Sequence, residues 1–338
     1  MVYSFQLWRH PNIHYREAVQ RLSRCELFCM LRSLSIETVI RQDTVGAAFF
    51  LTFECRPLSD GELAFLAGHS CIALMAEKQD DLLRPLPVSP SFYLPEELPE
   101  VLKYKGKTNP TLMRMMFNTA LSLTPFVRQD APVTVLDPLC GRGTGLFCAL
   151  LSGANAVGLD LDGKDLKEAS DYFSRFLKLN RLKHTFSPVS ETVRGRPVSG
   201  RVFRFAASKE AFSRGDVRFL SFFEGDTALA SSLLKKQKAH LLLADLPYGV
   251  QHAPQSGPKP ESFEALLTRS LPAWRAALHP GGALALSFND LTFKRCRLRS
   301  LLADHGFSPV DLPECLNLSH DVEQAVHRDL IFATLPII

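Results

Sequence analysis

From Pro132 onward, short apolar runs alternate with stretches of helical spacing. The apolar runs have the length of buried strands, and the last two are spaced like the strands of a closing hairpin. Strands that alternate with helices are typical of a parallel sheet covered by helices on both faces. The predicted strands fall near 133–137, 155–160, 217–223, 239–245, 282–288, 307–311 and 329–335.

The first eighty residues follow a different pattern, in the order β-α-β-β-α-β. This order is typical of the split βαβ, or ferredoxin-like, arrangement, which serves many unrelated functions. A capping box, Ser59 to Glu62, opens the second helix. In chain order the predicted elements are a strand at 3–7, a helix at 15–34, strands at 37–41 and 47–55, a helix from 59 and a strand at 71–76.

Five prolines between positions 85 and 99 predict an extended linker. The predicted organisation is therefore a module at 1–80, a linker at 81–104 and an α/β domain at 105–338. A helix is expected from Pro110 to about Leu123, with Asn109 as its N-cap and Pro110 at the first helical position.

Composition fits this plan. The chain has 338 residues, 46% of them apolar and 22% charged, which is ordinary for a globular protein of two domains. No apolar run approaches the roughly 20 residues of a membrane helix, and the N-terminus does not resemble a secretory signal. Eight cysteines are scattered through apolar segments without a C-x-x-C pair or a His/Cys cluster. We therefore expect a cytoplasmic protein without a membrane association or a metal site.

Two predicted strands end in an acidic residue followed by a turn. At the carboxyl edge of a parallel sheet, such a turn forms a small-molecule pocket. In the first turn, Gly141 and Gly143 allow close approach of a ligand, and the following helix presents free N–H groups to a carboxylate. A nicotinamide site is disfavoured because position 146 is Leu. The two segments are Asp137-Pro138-Leu139-Cys140-Gly141-Arg142-Gly143-Thr144-Gly145 and Asp245-Leu246-Pro247-Tyr248-Gly249.

Together these segments resemble motifs I and IV of S-adenosylmethionine (SAM)-dependent methyltransferases that act on exocyclic amino groups of nucleobases. They are most similar to the tRNA guanine-N2 methyltransferases, many of which carry an RNA-binding THUMP domain. Tyr104 to Pro110 also resembles that family. The resemblance covers roughly residues 100–338, and the first hundred residues carry no clear THUMP signature. It implies a class I methyltransferase fold with a mostly parallel, seven-stranded sheet, SAM as cofactor and RNA as partner.

The resemblance also implies roles for individual residues. Asp160, at the end of the next strand, would accept the ribose hydroxyls, with Asp162 as the alternative. Asp226 matches the position that accepts from the adenine amino group. Thr108 and Asn109 would lie near the methionine end of SAM, and Asn289 near the substrate mouth. The methionine carboxylate would bind the free N–H groups of the helix that starts at Gly143 and Thr144. The cofactor-binding residues of the glycine turn would be Asp137, Pro138, Cys140, Gly141, Gly143 and Thr144.

The second motif would carry the transfer. An exocyclic amino nitrogen is a poor nucleophile because its lone pair is delocalised into the ring. The Asp245 carboxylate and the Leu246 carbonyl would accept its two hydrogens, and Tyr248, after Pro247, would stack on the base. The family usually has Asp/Asn-Pro-Pro-aromatic here. Leu246 departs from that pattern but keeps the backbone carbonyl.

A basic insert separates two of the predicted strands. Asp226 follows Asp160 by 66 positions (226 − 160), whereas a strand–helix–strand unit without an insert needs about thirty. Between Arg175 and Arg218, eleven basic residues face three acidic ones, although the net charge of the whole chain is only +4. Arg194, Arg196, Arg201 and Arg204 in the insert at 183–218 would contact RNA, and its phenylalanines could stack on unpaired bases. The alternative is a surface excursion whose phenylalanines pack inward.

The predicted reaction is methyl transfer from SAM to guanine N2 in tRNA. One alternative keeps the chemistry but changes the acceptor to adenine N6 in DNA or ribosomal RNA, or to a protein glutamine. Another is a non-catalytic RNA-binding pseudoenzyme that acts as a partner subunit.

Overall fold

The computed structural model describes residues 1–9, 13–102, 104, 106–193, 195–234, 237–247, 261–323 and 326–337. Side chains at 13–15, 17, 196 and 323 lie outside this description. Tyr248 and Arg194, both singled out by the sequence, therefore lie outside the described residues. Among the described residues, no helix has both the length and the apolar composition needed to cross a membrane.

The N-terminal part forms an antiparallel sheet in the order β2-β3-β1-β4-β5. Its first four strands and two helices follow the predicted ferredoxin-like order, and the capping box at Ser59 and Glu62 is present. The elements are β1 (Val2–Leu7), α1 (Ile13–Ser33), β2 (Arg41–Val45), β3 (Ala48–Glu54), α2 (Asp60–Ala67), β4 (Ile72–Gln79) and β5 (Leu82–Pro85).

Two details of this module differ from expectation. The second strand lies at 41–45 instead of 37–41, because it pairs with β3 through a hairpin turn at Gly46, whose φ is +60°. The strand β5 occupies part of the expected linker. It is an edge strand, where proline is tolerated because one row of N–H groups has no partner in the sheet.

The rest of the chain alternates strands with helices. Short 3-10 turns lie at Pro125–Arg128, Thr227–Leu229 and Pro313–Cys315. The elements are α3 (Leu98–Val101), α4 (Pro110–Ser122), β6 (Thr134–Asp137), α5 (Thr144–Leu151), β7 (Asn155–Asp160), α6 (Gly163–Leu179), β8 (His184–Val193), β9 (Arg196–Phe205), α7 (Lys209–Ser213), β10 (Arg218–Glu224), α8 (Ala230–Leu234), β11 (Ala239–Asp245), α9 (Phe263–Ala277), β12 (Leu278–Asn289), α10 (Arg295–Asp304), β13 (Ser308–Pro309), β14 (His320–Glu323) and β15 (Val326–Thr334).

The second sheet has the order β13-β15-β12-β11-β6-β7-β10-β9-β8, with β14 paired to β15. The strands from β12 to β10 run parallel, and β15 is antiparallel to β12. With β6 as the first strand, this is the Rossmann-like sheet of class I methyltransferases, extended by β8, β9 and β14. Strand order reverses between β6 and β11, and ligands bind at such switch points.

The basic insert forms a long antiparallel hairpin, β8–β9, that adds to the edge of β10. Two of its phenylalanines, Phe203 and Phe205, are fully buried and pack edge-on against Phe173 of α6, with ring centroids 5.3 and 5.1 Å apart. Only part of the predicted stacking surface therefore exists: Phe186 is 50% exposed, but these two rings belong to the core.

The two sheets are joined by more than the linker. Helix α1 packs against α4, and buried residues from both helices share one apolar cluster. Within this contact the carboxylate of Glu26 is fully buried. It accepts hydrogen bonds from Ser70 N at 2.8 Å, Ser70 Oγ at 2.5 Å and Asn118 Nδ2 at 2.6 Å. Since Asn118 belongs to α4, this network attaches the N-terminal module directly to the helix that begins after Thr108.

Candidate active site

Three acidic residues end three parallel strands at the same edge of the sheet. Asp137 ends β6, Asp160 ends β7 and Asp245 ends β11. Strand β6 lies between the other two, with Asp137 opposite Gly158 of β7 and Leu136 opposite Leu242 of β11. The topology therefore brings together, at the switch point, the acidic strand ends that the sequence predicts.

The turn after β6 has the backbone that its glycines allow. Gly141 and Gly143 have φ values of +49° and +82°, in the left-handed region that other residues rarely adopt. A methyl group on Gly143 would lie 3.3 Å from the Phe222 ring. Gly143 is the N-cap of α5 and makes no side-chain cap hydrogen bond to its first turn. Free N–H groups at the start of a helix suit a carboxylate.

Asp160 is positioned by two backbone donors. Gly141 N donates to Oδ2 at 2.7 Å and Asp162 N donates to Oδ1 at 2.9 Å. Burial raises the pKa of Asp160, against the lowering effect of these hydrogen bonds. The alternative residue, Asp162, instead caps α6 by accepting from Lys164 N and Asp165 N. The geometry thus favours Asp160 as the residue that faces a ligand.

Asp137 lies beneath the turn. It is buried, and burial raises the pKa of its carboxyl well above the usual range. Its Oδ1 accepts from Leu139 N at 3.2 Å, and its Oδ2 would lie 3.1 Å from a methyl group on Gly145. Gly145 is therefore required for the carboxyl to approach the first turn of α5.

The side chains of Pro138 and Cys140 are also buried. Sγ of Cys140 would lie 2.7 Å from a methyl group on Gly158, and burial raises the pKa of this thiol well above its usual value. The Cys140 side chain thus packs into the core, and only its backbone belongs to the turn.

Arg142 points away from the turn toward α6. It forms ion pairs with Asp165 at 2.9 Å and Glu168 at 2.8 Å. Its guanidinium also lies 4.7 Å from the centroid of the Tyr104 ring, and the Tyr104 hydroxyl is 3.0 Å from Oγ1 of Thr144. The segment before α4 is thereby fixed onto the glycine turn.

The same segment reaches Asp245. Oγ1 of Thr108 donates to Oδ2 of Asp245 at 2.5 Å, and Nη2 of Arg328 lies 3.6 Å from the same oxygen. Leu246 N donates to Ser287 O at 2.8 Å, which continues the β11–β12 pairing one residue past β11. Pro247 is partly buried and is the last residue described before Tyr248. The partners of this carboxylate thus include the Thr108 hydroxyl and the Arg328 guanidinium.

Sequence reasoning missed Arg328. It lies on β15 opposite Asn289 of β12 and is only 4% exposed. A signal was present, since Arg328 and Asp329 are charged residues at the start of a strand that continues as an apolar run. Asn289, the expected substrate residue, uses its Oδ1 to accept from Leu291 N at 3.1 Å and His327 N at 3.2 Å. It shapes the end of the β12–β15 pair.

Two other expected cofactor residues have local roles. Oδ1 of Asn109 accepts from Thr111 N at 2.8 Å, so Asn109 is the predicted N-cap of α4. Oδ1 of Asp226 accepts from Ala228 N at 2.8 Å and pairs with Nη1 of Arg269 at 2.5 Å. That oxygen of Asp226 is therefore directed toward α9.

The structure does not gather the basic residues of the insert into one surface. In the β9–β10 register, Arg201 lies opposite Phe222 and Arg204 opposite Phe219. Since β10 ends at Glu224, five residues after Phe219, Arg204 lies about 16 Å from the carboxyl edge, at about 3.3 Å a residue. Being three positions apart on one strand, Arg201 and Arg204 also face opposite sides. At the end of the hairpin, Val193 of β8 pairs with Arg196 of β9, past the carboxyl edge of β10.

Three of the cysteines that are scattered along the sequence meet in the structure. Cys25 and Cys29 of α1 meet Cys315, with Cys315 Sγ 3.0 Å from that of Cys25 and 3.6 Å from that of Cys29. The i, i+4 spacing on a helix lies outside the C-x-x-C template, and the third residue is 286 positions beyond Cys29. Sequence spacing alone therefore could not bring them together.

No protein-family model matches this chain, and no curated protein matches it. Solved structures similar to it include TrmN from Thermus thermophilus, 18% identical with a TM-score of 0.39 over 88% of this chain and 60% of that one. This chain therefore spans less than two thirds of TrmN.

Two further similar structures are the rRNA methyltransferase aviRa from Streptomyces viridochromogenes (13% identity, TM-score 0.37, 69% and 88% of the two chains) and the magnesium protoporphyrin IX methyltransferase ChlM from Synechocystis (14%, 0.37, 69% and 86%). Identities this low transfer neither substrate nor activity. The function is therefore argued below from this chain's own residues.

Proposed function

We propose that this chain is a SAM-dependent methyltransferase that modifies an exocyclic amino nitrogen of a nucleobase in RNA, with guanine N2 in tRNA as the acceptor. The observation that carries the proposal is the position of Asp245, at the end of β11 and beside the strand β6 that leads into the glycine turn. An amino-group acceptor and a cofactor turn thus share the switch point of the sheet.

The residues at the turn fit SAM. The uncapped first turn of α5 suits the methionine carboxylate. Asp160 is fixed by Gly141 N and Asp162 N, and each of its oxygens keeps a lone pair for a ribose hydroxyl. Asp226 is proposed to accept from the adenine amino group through the oxygen that does not face Arg269. When bound, SAM supplies an electrophilic methyl group on a sulfonium sulfur.

Asp245 is proposed to orient the amino nitrogen of the target base. Its carboxylate accepts one amino hydrogen and the Leu246 carbonyl accepts the other, which favours a pyramidal nitrogen whose lone pair points at the methyl group. Thr108 and Arg328 hold the carboxylate in place through Oδ2. Tyr248 would stack on the base and set its plane. The N–C bond would form as the bond between the methyl group and the sulfonium sulfur breaks, and the nitrogen would lose one proton to Asp245 or to water. Positioning would supply most of the catalytic effect.

RNA is proposed as the acceptor because Val193 of β8 pairs with Arg196 of β9 beyond the carboxyl edge of β10. Arg196, and Arg194 outside the described residues, are proposed to contact phosphates. A duplex would bury the amino group, so the target base lies in a loop or is flipped out. The ferredoxin-like module is proposed to help position the RNA, by analogy of fold.

The test is transfer of labelled methyl from SAM to unmodified tRNA, ribosomal RNA and DNA, followed by nucleoside analysis. Label in N2-methylguanosine from tRNA is expected, with loss of transfer in Asp245→Ala and normal transfer in Asp171→Ala, an exposed acid on α6. Label in N6-methyladenine or in protein glutamine would support methyl transfer to an amino group but reject guanine N2 as the acceptor. Methyl transfer by Asp245→Ala at the wild-type rate would contradict the proposed mechanism.

A non-catalytic, RNA-binding pseudoenzyme makes predictions that differ from those of the enzymatic proposal. It predicts SAM-independent RNA binding, no transfer to any acceptor, and full complementation in cells by Asp245→Ala. The enzymatic proposal predicts failure of complementation by a variant that still folds and still binds RNA.

A further inference from the structure

Three thiols converge where the N-terminal module meets the other end of the chain. Cys25 and Cys29 lie one turn apart on α1, and Cys315 ends the 3-10 turn at Pro313–Cys315. Their sulfur atoms all lie within 4.8 Å of one another. Each residue is at most 1% exposed, so the cluster is closed to bulk solvent.

The surroundings of the cluster are apolar. All three cysteines belong to the buried cluster that also contains Leu318 and Met116. Nη2 of Arg295 donates to the Cys315 carbonyl at 3.1 Å, which adds a positive charge nearby. A metal ion that binds there would take the three cysteines as thiolates.

We propose that Cys25, Cys29 and Cys315 form a binding site for a thiophilic d10 metal ion, Zn²⁺ or Cu⁺. Thiolates are the ligands that select these two ions among the metals of a cell. A metal–sulfur distance of about 2.3 Å separates the sulfurs in such a site by about 4 Å. The observed separations of 3.0 and 3.6 Å need only a small expansion to reach it.

Coordination and charge distinguish the two ions. Three thiolates complete a trigonal site for Cu⁺, whereas Zn²⁺ takes a fourth ligand such as water. Three thiolates leave a net charge of −1 around Zn²⁺ and −2 around Cu⁺, and an uncompensated charge is costly in an apolar interior. Both ions are therefore tested separately.

The position of the site connects it to Asp245. Cys315 precedes β14, in which His320 pairs with Arg328 of β15, and Arg328 faces Asp245. A bound ion would join α1 to this segment across 290 positions and so fix the N-terminal module relative to β15. Closing so long a loop stabilises the folded chain by restricting the unfolded one.

The experiment uses the full chain, purified with reductant and kept anaerobic. Zn²⁺ is titrated against a chromophoric chelator, and Cu⁺ against a Cu⁺-specific chelator. One equivalent of one ion is expected, with a rise in Tm of the wild-type protein. Affinity should fall at least about 100-fold in Cys25→Ala and Cys315→Ala, since each loses a ligand. It should not change in Cys148→Ala, a matched buried cysteine outside the cluster.

X-ray absorption on the metal-loaded wild type keeps the test independent of how well the variants fold. Sulfur neighbours at about 2.3 Å support the site, whereas oxygen and nitrogen neighbours alone overturn it. Failure of the wild type to bind a stoichiometric ion overturns it, as does equal affinity in Cys315→Ala. A Cys25–Cys315 disulfide in protein prepared without oxidant, found by mass analysis after alkylation, also overturns it. None of these readouts depends on methyl transfer.

Discussion

Oγ1 of Thr108 donates a hydrogen bond of 2.5 Å to Oδ2 of Asp245, across 137 positions of the chain. Four residues earlier, the Tyr104 hydroxyl lies 3.0 Å from Oγ1 of Thr144 in the first turn of α5. The short segment before α4 therefore contacts both motifs that the sequence singles out. It connects the proposed cofactor turn with the proposed transfer site.

Thr108→Val should lower kcat by about 10- to 100-fold, because a hydrogen bond to a charged group contributes about 1.5–3 kcal/mol. The KM for SAM should change little, since Thr108 contacts Asp245 and not the glycine turn. Thr108→Ser keeps the hydroxyl and should keep most of the activity. Steady-state transfer to the RNA acceptor measures both constants. An equal loss in the Ser and Val variants would contradict a role for this hydrogen bond.

Arg328 and Asp245 should be energetically coupled. Arg328 is almost fully buried, so Arg328→Met should lower stability by about 3 kcal/mol, because it leaves a carboxylate without its guanidinium. In Asp245→Asn that penalty should shrink, and a double-mutant cycle should give a coupling of about 0.5–3 kcal/mol.

Denaturant unfolding of the four proteins measures this coupling. Additive changes would mean that Arg328 stabilises the fold without acting on Asp245. The matched control is Arg299→Met with Asp311→Asn, an ion pair between more exposed side chains, for which a coupling below about 1 kcal/mol is expected.

The sequence predicted the acidic strand ends because each follows an apolar run long enough to be a buried strand. Asp137, Asp160 and Asp245 therefore reach one edge once the sheet is parallel. Which side chains join them depends on long-range pairing. Arg328 reaches Asp245 only because β15 inserts antiparallel beside β12, and no local pattern encodes that contact.

The register between β9 and β10 also explains why the basic side chains of the insert do not form one surface. Its composition predicted a charged surface, but composition does not determine the strand pairing. Once β9 pairs with β10, alternation places Arg201 and Arg204 on opposite faces, and Phe203 and Phe205 against α6. Charge counting could identify the segment but could not place its side chains.

Asp137→Asn should stabilise the free protein at neutral pH. Burial raises the folded-state pKa of Asp137, so the native state binds a proton more readily than the unfolded chain does. Stability of the wild type consequently falls as pH rises from the usual Asp pKa, about 4, through the raised value. The asparagine side chain of the variant does not titrate, and its amide oxygen can still accept from Leu139 N.

Tm measured from pH 7 down to pH 5 should show an advantage for Asp137→Asn that shrinks as the pH falls. The affinity for SAM should decrease in the same variant if the carboxyl supports the cofactor turn. Asp171→Asn, an exposed acid, should show neither effect. A constant Tm difference across this range would contradict the raised pKa.

Glu26→Ala should loosen the N-terminal module from α4. The substitution removes the carboxylate that accepts from Ser70 N, Ser70 Oγ and Asn118 Nδ2, of which Asn118 Nδ2 keeps the Gly68 carbonyl at 2.9 Å. Buried donors without an acceptor cost about 1–3 kcal/mol each, partly relieved by water. We expect a loss of about 3 kcal/mol and faster proteolysis of the proline-rich segment between β5 and α3. Glu37→Ala, at an exposed position, is the control. Unchanged proteolysis with a lowered Tm would mean that Glu26 stabilises its own module without fastening it to α4.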